Sequence, residues 1–200
     1  MTDTYGSPET HGAECSRCPL QGSKVVPPEG NPKAARIAIV GESPGFVEVK
    51  TARPFSGPSG KGLDEILMAV RLKRSEVFIT NVALCRPETP GLEGKIKFDV
   101  PTYLAWLRCE NKRRIKSFRE ARKRGEAPAL PDLLSNPFEC CRVRLAVELE
   151  MLEQAAVARG QPNGAIVIPL GNEALFAIAG RRKIMRWRGS PIPISSGGEE

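Results

Sequence analysis

Three short apolar runs, set far apart, constrain this chain more than any other feature. They are Ala35 to Val40 (ARIAIV), Glu76 to Leu84 (EVFITNVAL) and Ala165 to Leu170 (AIVIPL). Each has the length of a strand, and their near-continuous apolar character is that of strands covered on both faces. Helix-compatible stretches lie between them. Residues 59–72 place Leu63, Ile66, Leu67 and Val70 at helical spacing, and Tyr103 to Arg124 is helix-compatible and basic. The segment from about Glu139 to Arg159 sets Leu145, Leu149, Leu152 and Ala156 on one face, and Gly171-Asn172 opens a short helix to Ala179. Strands alternating with helices predict an α/β layered domain with a mainly parallel sheet. Arg186 to Ile194 reads as a terminal strand or hairpin, and residues 1–33 as an irregular arm rich in turn formers. Residues 34–200 then form one α/β domain, with a basic insertion at about residues 92–136.

In such sheets ligands sit beyond the carboxyl ends of the strands. The loop after the first run is GESPGFVEVKTARPFSGPSG, Gly41 to Gly60. It lacks the spacing of a nucleoside-triphosphate loop and of a dinucleotide fingerprint. A pocket for a small planar group suits it better. Pro44-Gly45 turns the chain so that backbone amides can face a ligand, Glu42 at the strand end can polarise a water, and Phe55 offers a stacking face. Asn81, on the second strand, presents both a donor and an acceptor, as the edge of a pyrimidine requires. Taken singly, Phe55 suits a core and Asn81 a turn; it is their joint occurrence that points to a pocket.

The formal net charge is +7, and the excess is unevenly spread. Between Arg108 and Arg124 lie nine Lys or Arg residues against Glu110 and Glu120 alone. Such a segment is either a solvated basic helix or a phosphate-contacting element whose binding weakens steeply with salt. Within it, Lys112, Arg113, Arg114 and Lys116 are the candidate phosphate contacts. No run approaches the roughly 18 to 20 apolar residues of a membrane span. The polar N-terminus lacks the basic and apolar regions of a secretory signal, so a cytoplasmic monomer without membrane association is expected. Six cysteines, at 15, 18, 85, 109, 140 and 141, therefore fit a metal centre better than a disulfide framework. The Cys15-Ser-Arg-Cys18 pair leaves zinc, iron–sulfur and redox roles open. Cys85 and the Cys140-Cys141 pair can supply further thiolates.

The ordered blocks CSRCPL, IVGESPGFVE, ARPFSGPSG, ITNVALCRP, CRVRLAVELEML and IPLGNEAL run from about Cys15 to Gly189. Together they resemble the iron–sulfur branch of the uracil-DNA glycosylases, often called family 4, which is related to a region of a phage DNA polymerase. The resemblance implies a three-layer α/β/α fold and base excision: uracil is flipped out of DNA and its N-glycosidic bond hydrolysed. It implies a [4Fe–4S] cluster on Cys15, Cys18, Cys85 and one of the adjacent pair, with Cys141 the better fit because it directly precedes an Arg opening the long helix. Glu42 would position the attacking water, Pro44 and Gly45 would shape the uracil pocket, Phe55 would stack on the base and Asn81 would read its edge. The partner implied is uracil-containing DNA.

Two departures set limits. Cys85 and Cys141 are 55 residues apart, more than the family usually has, and the excess holds the basic segment. The family's late motif, a final strand with a histidine that stabilises the uracil anion, has no counterpart; the sequence has one histidine, His11, in the arm. Either the chain is shortened at its C-terminus, lacking a final strand, or it has lost the catalytic end, the first being favoured. A non-catalytic iron–sulfur DNA-binding module and a zinc-bound structural domain are the competing readings.

Overall fold

The computed structural model describes residues 5–88 and 100–193. The arm enters first, as two single 3-10 turns at Pro8–His11 and Cys15–Arg17. Strand β1 (Ile37–Gly41) follows, then α1 (Phe46–Thr51), α2 (Pro58–Ala69) and strand β2 (Val77–Asn81). Helix α3 (Val100–Lys123) leads to α4 (Pro137–Cys140) and α5 (Arg142–Ala158). Strand β3 (Ile166–Pro169), α6 (Asn172–Ala179) and α7 (Ile184–Trp187) complete the described residues.

The strands lie in the order β2-β1-β3, and both pairings are parallel. Ile39 sits opposite Ile79 on one side and Ile168 on the other, and Gly41 opposite Asn81. Successive strand residues point to opposite faces, so the sheet separates two cores. Ile39, Val77 and Ile79 pack with Leu63 and Leu67 of α2. Ala38, Val40 and Phe78 pack with Leu145 and Leu152 of α5 and Ala174 of α6. The expected three-layer α/β/α arrangement follows directly from that alternation.

The elements differ from expectation where short-range signals conflict with packing. The second strand stops at Asn81 rather than Leu84; beyond it the Val82 and Ala83 amides still donate to the carbonyls of Gly41 and Glu42, at 2.9 and 3.0 Å, as the chain bends away. The third strand is not buried on both faces. It is one of the sheet's two edges, and Ile166 and Ile168 remain 54% and 41% exposed because the α2 core reaches only β1 and β2; β2, the other edge, is fully buried. The loop Gly41–Pro58 contains the one-and-a-half-turn helix α1, tied down where Glu48 accepts from the Gly57 amide at 3.0 Å. The expected helix over Glu139 to Arg159 is broken at Cys141, whose ψ of −3° separates α4 from α5. A short helix, Ile184–Trp187, and non-strand backbone through residue 193 replace the expected terminal strand, whose last residue lies outside the described residues.

The arm is irregular but anchored. Single antiparallel bridges join Val25 to Cys85 and Glu29 to Ile79, and the Glu14 amide donates to the Cys140 carbonyl at 2.8 Å. Helix α3 buries Tyr103, Leu107 and Ala121. The Asn111 side chain exchanges two hydrogen bonds of 2.9 Å with the backbone of Leu134, pinning the segment after α3 against it. The first part of the predicted insertion, residues 92–99, lies outside the described residues. No helix among the described residues is long and apolar enough to cross a membrane.

Candidate active site and thiol cavity

Because β1 and β2 are parallel and in register at Gly41 and Asn81, Glu42 and Asn81 emerge from the same edge of the sheet. Gly41 separates them. A Cβ there would strike the Asn81 Oδ1 and come within 2.7 Å of the Phe55 Cζ, so the absent side chain is what lets Phe55 and Asn81 meet. Phe55 lies in the left-handed region at φ 50°, a conformation that costs a non-glycine residue about 1 kcal/mol or more. Two contacts hold it there. Arg74 donates to the carbonyls of Pro54 and Phe55 at 2.5 and 3.3 Å, and Gly60 leaves room for the Phe55 carbonyl, which any Cβ would hit. Arg74 is itself fixed by Glu29 and Asp64 at 2.9 and 2.8 Å.

Asn81 is 3% exposed. Its backbone carbonyl and that of Val82 both accept from Nη2 of Arg144, at 2.5 and 2.7 Å. Glu42, half-buried, accepts from the Glu173 amide at 3.1 Å, at the start of α6. Burial pushes the Glu42 carboxyl up from its ordinary value, with the hydrogen bonds from Glu173 and Asn172 acting against it. Gly171, at φ 107°, makes that approach possible: a Cβ would overlap the Glu42 carboxylate. Pro44 is buried and Gly45 caps α1, so both shape the loop between Glu42 and Phe55. The structure thus brings Glu42, Pro44, Gly45, Phe55 and Asn81 to one end of the sheet.

A second feature lies beside the arm. Cys15, Cys18, Cys85 and Cys141 line one cavity of about 110 Å³ with apolar neighbours including Leu20, Val25 and Leu84. Three separate segments deliver them: the CxxC turn, the end of the β2 segment, and the break between α4 and α5. Cys140 is buried beside Cys18 and is not among the lining residues, and Cys109 is exposed on α3. Burial is the first cause that pushes the thiols up, to about 12 for Cys15 and Cys18 and about 11 for Cys85, with neighbouring thiols adding to it. Among the described residues no three His, Cys, Asp or Glu side chains converge tightly enough to hold a single ion.

Of the predicted cationic contacts, Lys112 and Lys116 are exposed, with Lys116 paired to Glu120 at 3.8 Å, and Arg113 and Arg114 both bond to Glu110, at 2.9 and 3.0 Å. Arg114 also donates to the Asp132 carbonyl. Arg74 and Arg144 are absent from the candidate site residues expected from the sequence, although Arg144 lies within the block CRVRLAVELEML. The one available sign was the spacing of Arg144 and Glu148, a pairing on a helix that also carries leucines.

A 44% identical match over 84 residues joins the chain to a type-4 uracil-DNA glycosylase of Pyrobaculum aerophilum, covering 40% of this chain and 42% of the relative. Relatives of the same name match at 47% over 75 residues in Archaeoglobus fulgidus (36% and 37% covered) and 46% over 76 in Thermotoga maritima (37% and 39%). These alignments span about two fifths of the relatives' length. The family model for the uracil DNA glycosylase superfamily covers more, residues 27–190, and takes in β1 to β3 and every pocket residue named above. Because that match spans most of the sequence, the chain belongs to the uracil DNA glycosylase superfamily.

Proposed function

We propose that this chain recognises uracil flipped out of DNA and hydrolyses its glycosidic bond. The observation that carries the reading is the meeting of Phe55 and Asn81 over Gly41 at the ends of two parallel strands, with Glu42 the next residue beyond β1. Phe55 would stack on the pyrimidine, and the Asn81 amide would pair with its edge. The donor and acceptor pattern of cytosine is reversed there, and an amide left unpaired in the pocket costs about 1–3 kcal/mol. Glu42, at the strand end, would orient the water that attacks the sugar as positive charge builds on it. Pro44 and Gly45 would keep backbone amides close to the base.

The thiol cavity fits a [4Fe–4S] cluster on Cys15, Cys18, Cys85 and Cys141. Four thiols from three segments face one apolar space, yet they do not close on a point. A single zinc would draw them in by bonds of about 2.3 Å, whereas a cluster several ångströms wide places an iron near each thiolate. When bound, such a cluster supplies a structural crosslink. The chain's own contribution is to exclude water with Leu20, Val25 and Leu84 and to fix Cys141 at the start of α5.

For DNA, the exposed face of α3 is the supporting feature. Arg108, Lys112, Lys116, Arg119 and Lys123 recur at spacings of four, four, three and four residues, so they form one exposed stripe opposite the buried Tyr103, Leu107 and Ala121. Lys112 and Lys116 are well placed for phosphate, and Arg113 and Arg114, held by Glu110, stand beside the stripe.

A second reading has its own observation. His11, the chain's one histidine, stacks on Tyr5 at 4.8 Å between ring centroids and bonds to the Tyr5 carbonyl. It is held in the arm, so a uracil-binding module without hydrolysis is the alternative. Uracil-containing single-stranded DNA incubated with the anaerobically purified chain, then treated with alkali, separates the two. Strand breaks at uracil support the glycosylase. Binding without breaks supports the module, and neither binding nor breaks overturns both.

A further inference from the structure

Arg144 is fully buried, and so is Glu148, with 0% and 1% exposure. They form an ion pair at 2.6 Å inside the core between α5 and the sheet. A buried pair of this kind stabilises little by itself, because desolvation offsets most of the attraction. Its partners indicate a different role. Arg144 Nη1 donates to the Thr80 hydroxyl at 3.0 Å as well as to Glu148, while Nη2 holds the carbonyls of Asn81 and Val82. Those two carbonyls lie just where β2 ends, and the Arg144 guanidinium is the group that donates to both. Glu148 is fixed from the far side by Tyr5, whose hydroxyl donates at 2.5 Å.

Resting on the reading that Asn81 reads the base edge, we propose that Arg144 is the positioning residue of that pocket: its clamp on the Asn81 and Val82 carbonyls fixes the aim of the Asn81 side-chain amide. A bend of consecutive carbonyls towards one guanidinium leaves the Asn81 backbone a single orientation, and the amide inherits it. Glu148 and Tyr5 keep the guanidinium from turning away. Lysine, with one point charge, cannot span both carbonyls and the Thr80 hydroxyl in the same fork.

The test is nuclear magnetic resonance of the Asn81 side-chain amide in the full chain, with free uracil as the probe. Arg144→Met alone strands the Glu148 charge, so the informative variant is R144M/E148Q, which removes both charges and keeps an acceptor for Tyr5 and Thr80. The expected result is a folded protein with its other core signals in place, a broadened or multiple Asn81 amide signal, and uracil affinity lower by about tenfold. Arg144→Lys should recover only part of either readout. A sharp, unshifted Asn81 amide in R144M/E148Q, with uracil affinity within about twofold of the parent, overturns the proposal. If the parent itself does not bind uracil, the assigned ligand falls, and the order of the Asn81 amide still decides the positioning role.

Discussion

Glu42 stands under two opposed influences, burial that disfavours its charge and backbone amides of α6 that favour it, and burial prevails. Its carboxyl therefore loses its proton above the ordinary 4.5. The ionised form is the one that can orient a water, so uracil release should rise through an acid limb lying above pH 4.5. The stability effect has the opposite sign. A raised folded value means the fold prefers the protonated carboxyl, so that contribution is complete below pH 4.5 and is lost as pH climbs through the folded value. Glu42→Gln should abolish the limb and slow release by about 10²- to 10⁴-fold, and a limb that survives assigns it to another group. Gly41 gives a second prediction at this scale. In Gly41→Ala the new methyl must displace the Asn81 amide or the Phe55 ring, so uracil affinity should fall by about tenfold or more, at a cost of about 1–3 kcal/mol in stability. Titration with uracil, together with a thermal melt, separates the two effects.

At the scale of elements, α3 is the clearest case of a property that belongs to no one residue. Its stripe of five exposed cations should contact about five phosphates if it lies along a strand. Replacing Lys112, Lys116 and Arg119 together by Gln should then flatten the slope of log affinity against log salt by about 0.7 for each charge removed, with uracil preference unchanged. An unaltered slope returns α3 to a solvated face. The sequence made α3 legible because a long polar stretch with few apolar residues still fits helical spacing. It made β1 legible because covered strands are short and apolar. Helix α5 was read as a leucine stripe, but its buried face also takes in Arg144 and Glu148, charges that periodicity assigns to solvent. Helix α1 escaped because six residues set between glycines and prolines give too short a window for any period. The exposure of Ile166 and Ile168 was equally hidden: an apolar run tells that a strand exists, not how far the helices covering the sheet extend over it.

Across the whole molecule, the four cavity thiols come from three parts of the chain. The arm brings Cys15 and Cys18, the turn after β2 brings Cys85, and the α4–α5 break brings Cys141. Beside these thiols, the arm is held by two single backbone bridges, the Glu14 to Cys140 bond, and the side-chain bonds of Tyr5 to Glu148, of Glu29 to Arg53 and Arg74, and of Arg159 to the Lys33 carbonyl. A metal cluster across the cavity would thus close a loop from residue 15 to residue 141, and loss of it should release the arm before the sheet core opens. With their pKa values pushed up to about 11 and 12, the metal-free thiols hold their protons at neutral pH, so loading must expel protons and should weaken as pH falls. Cys141→Ser should lose iron, lower the melting temperature and expose the arm to protease near Gly22. Cys140→Ser, altering a thiol that does not line the cavity, should keep the iron and the protected arm. Iron analysis and limited proteolysis of the two variants in parallel are sufficient. Equal iron in both would mean that Cys141 is no ligand. Iron lost from Cys140→Ser alone would move the fourth ligand one residue back, onto the last turn of α4.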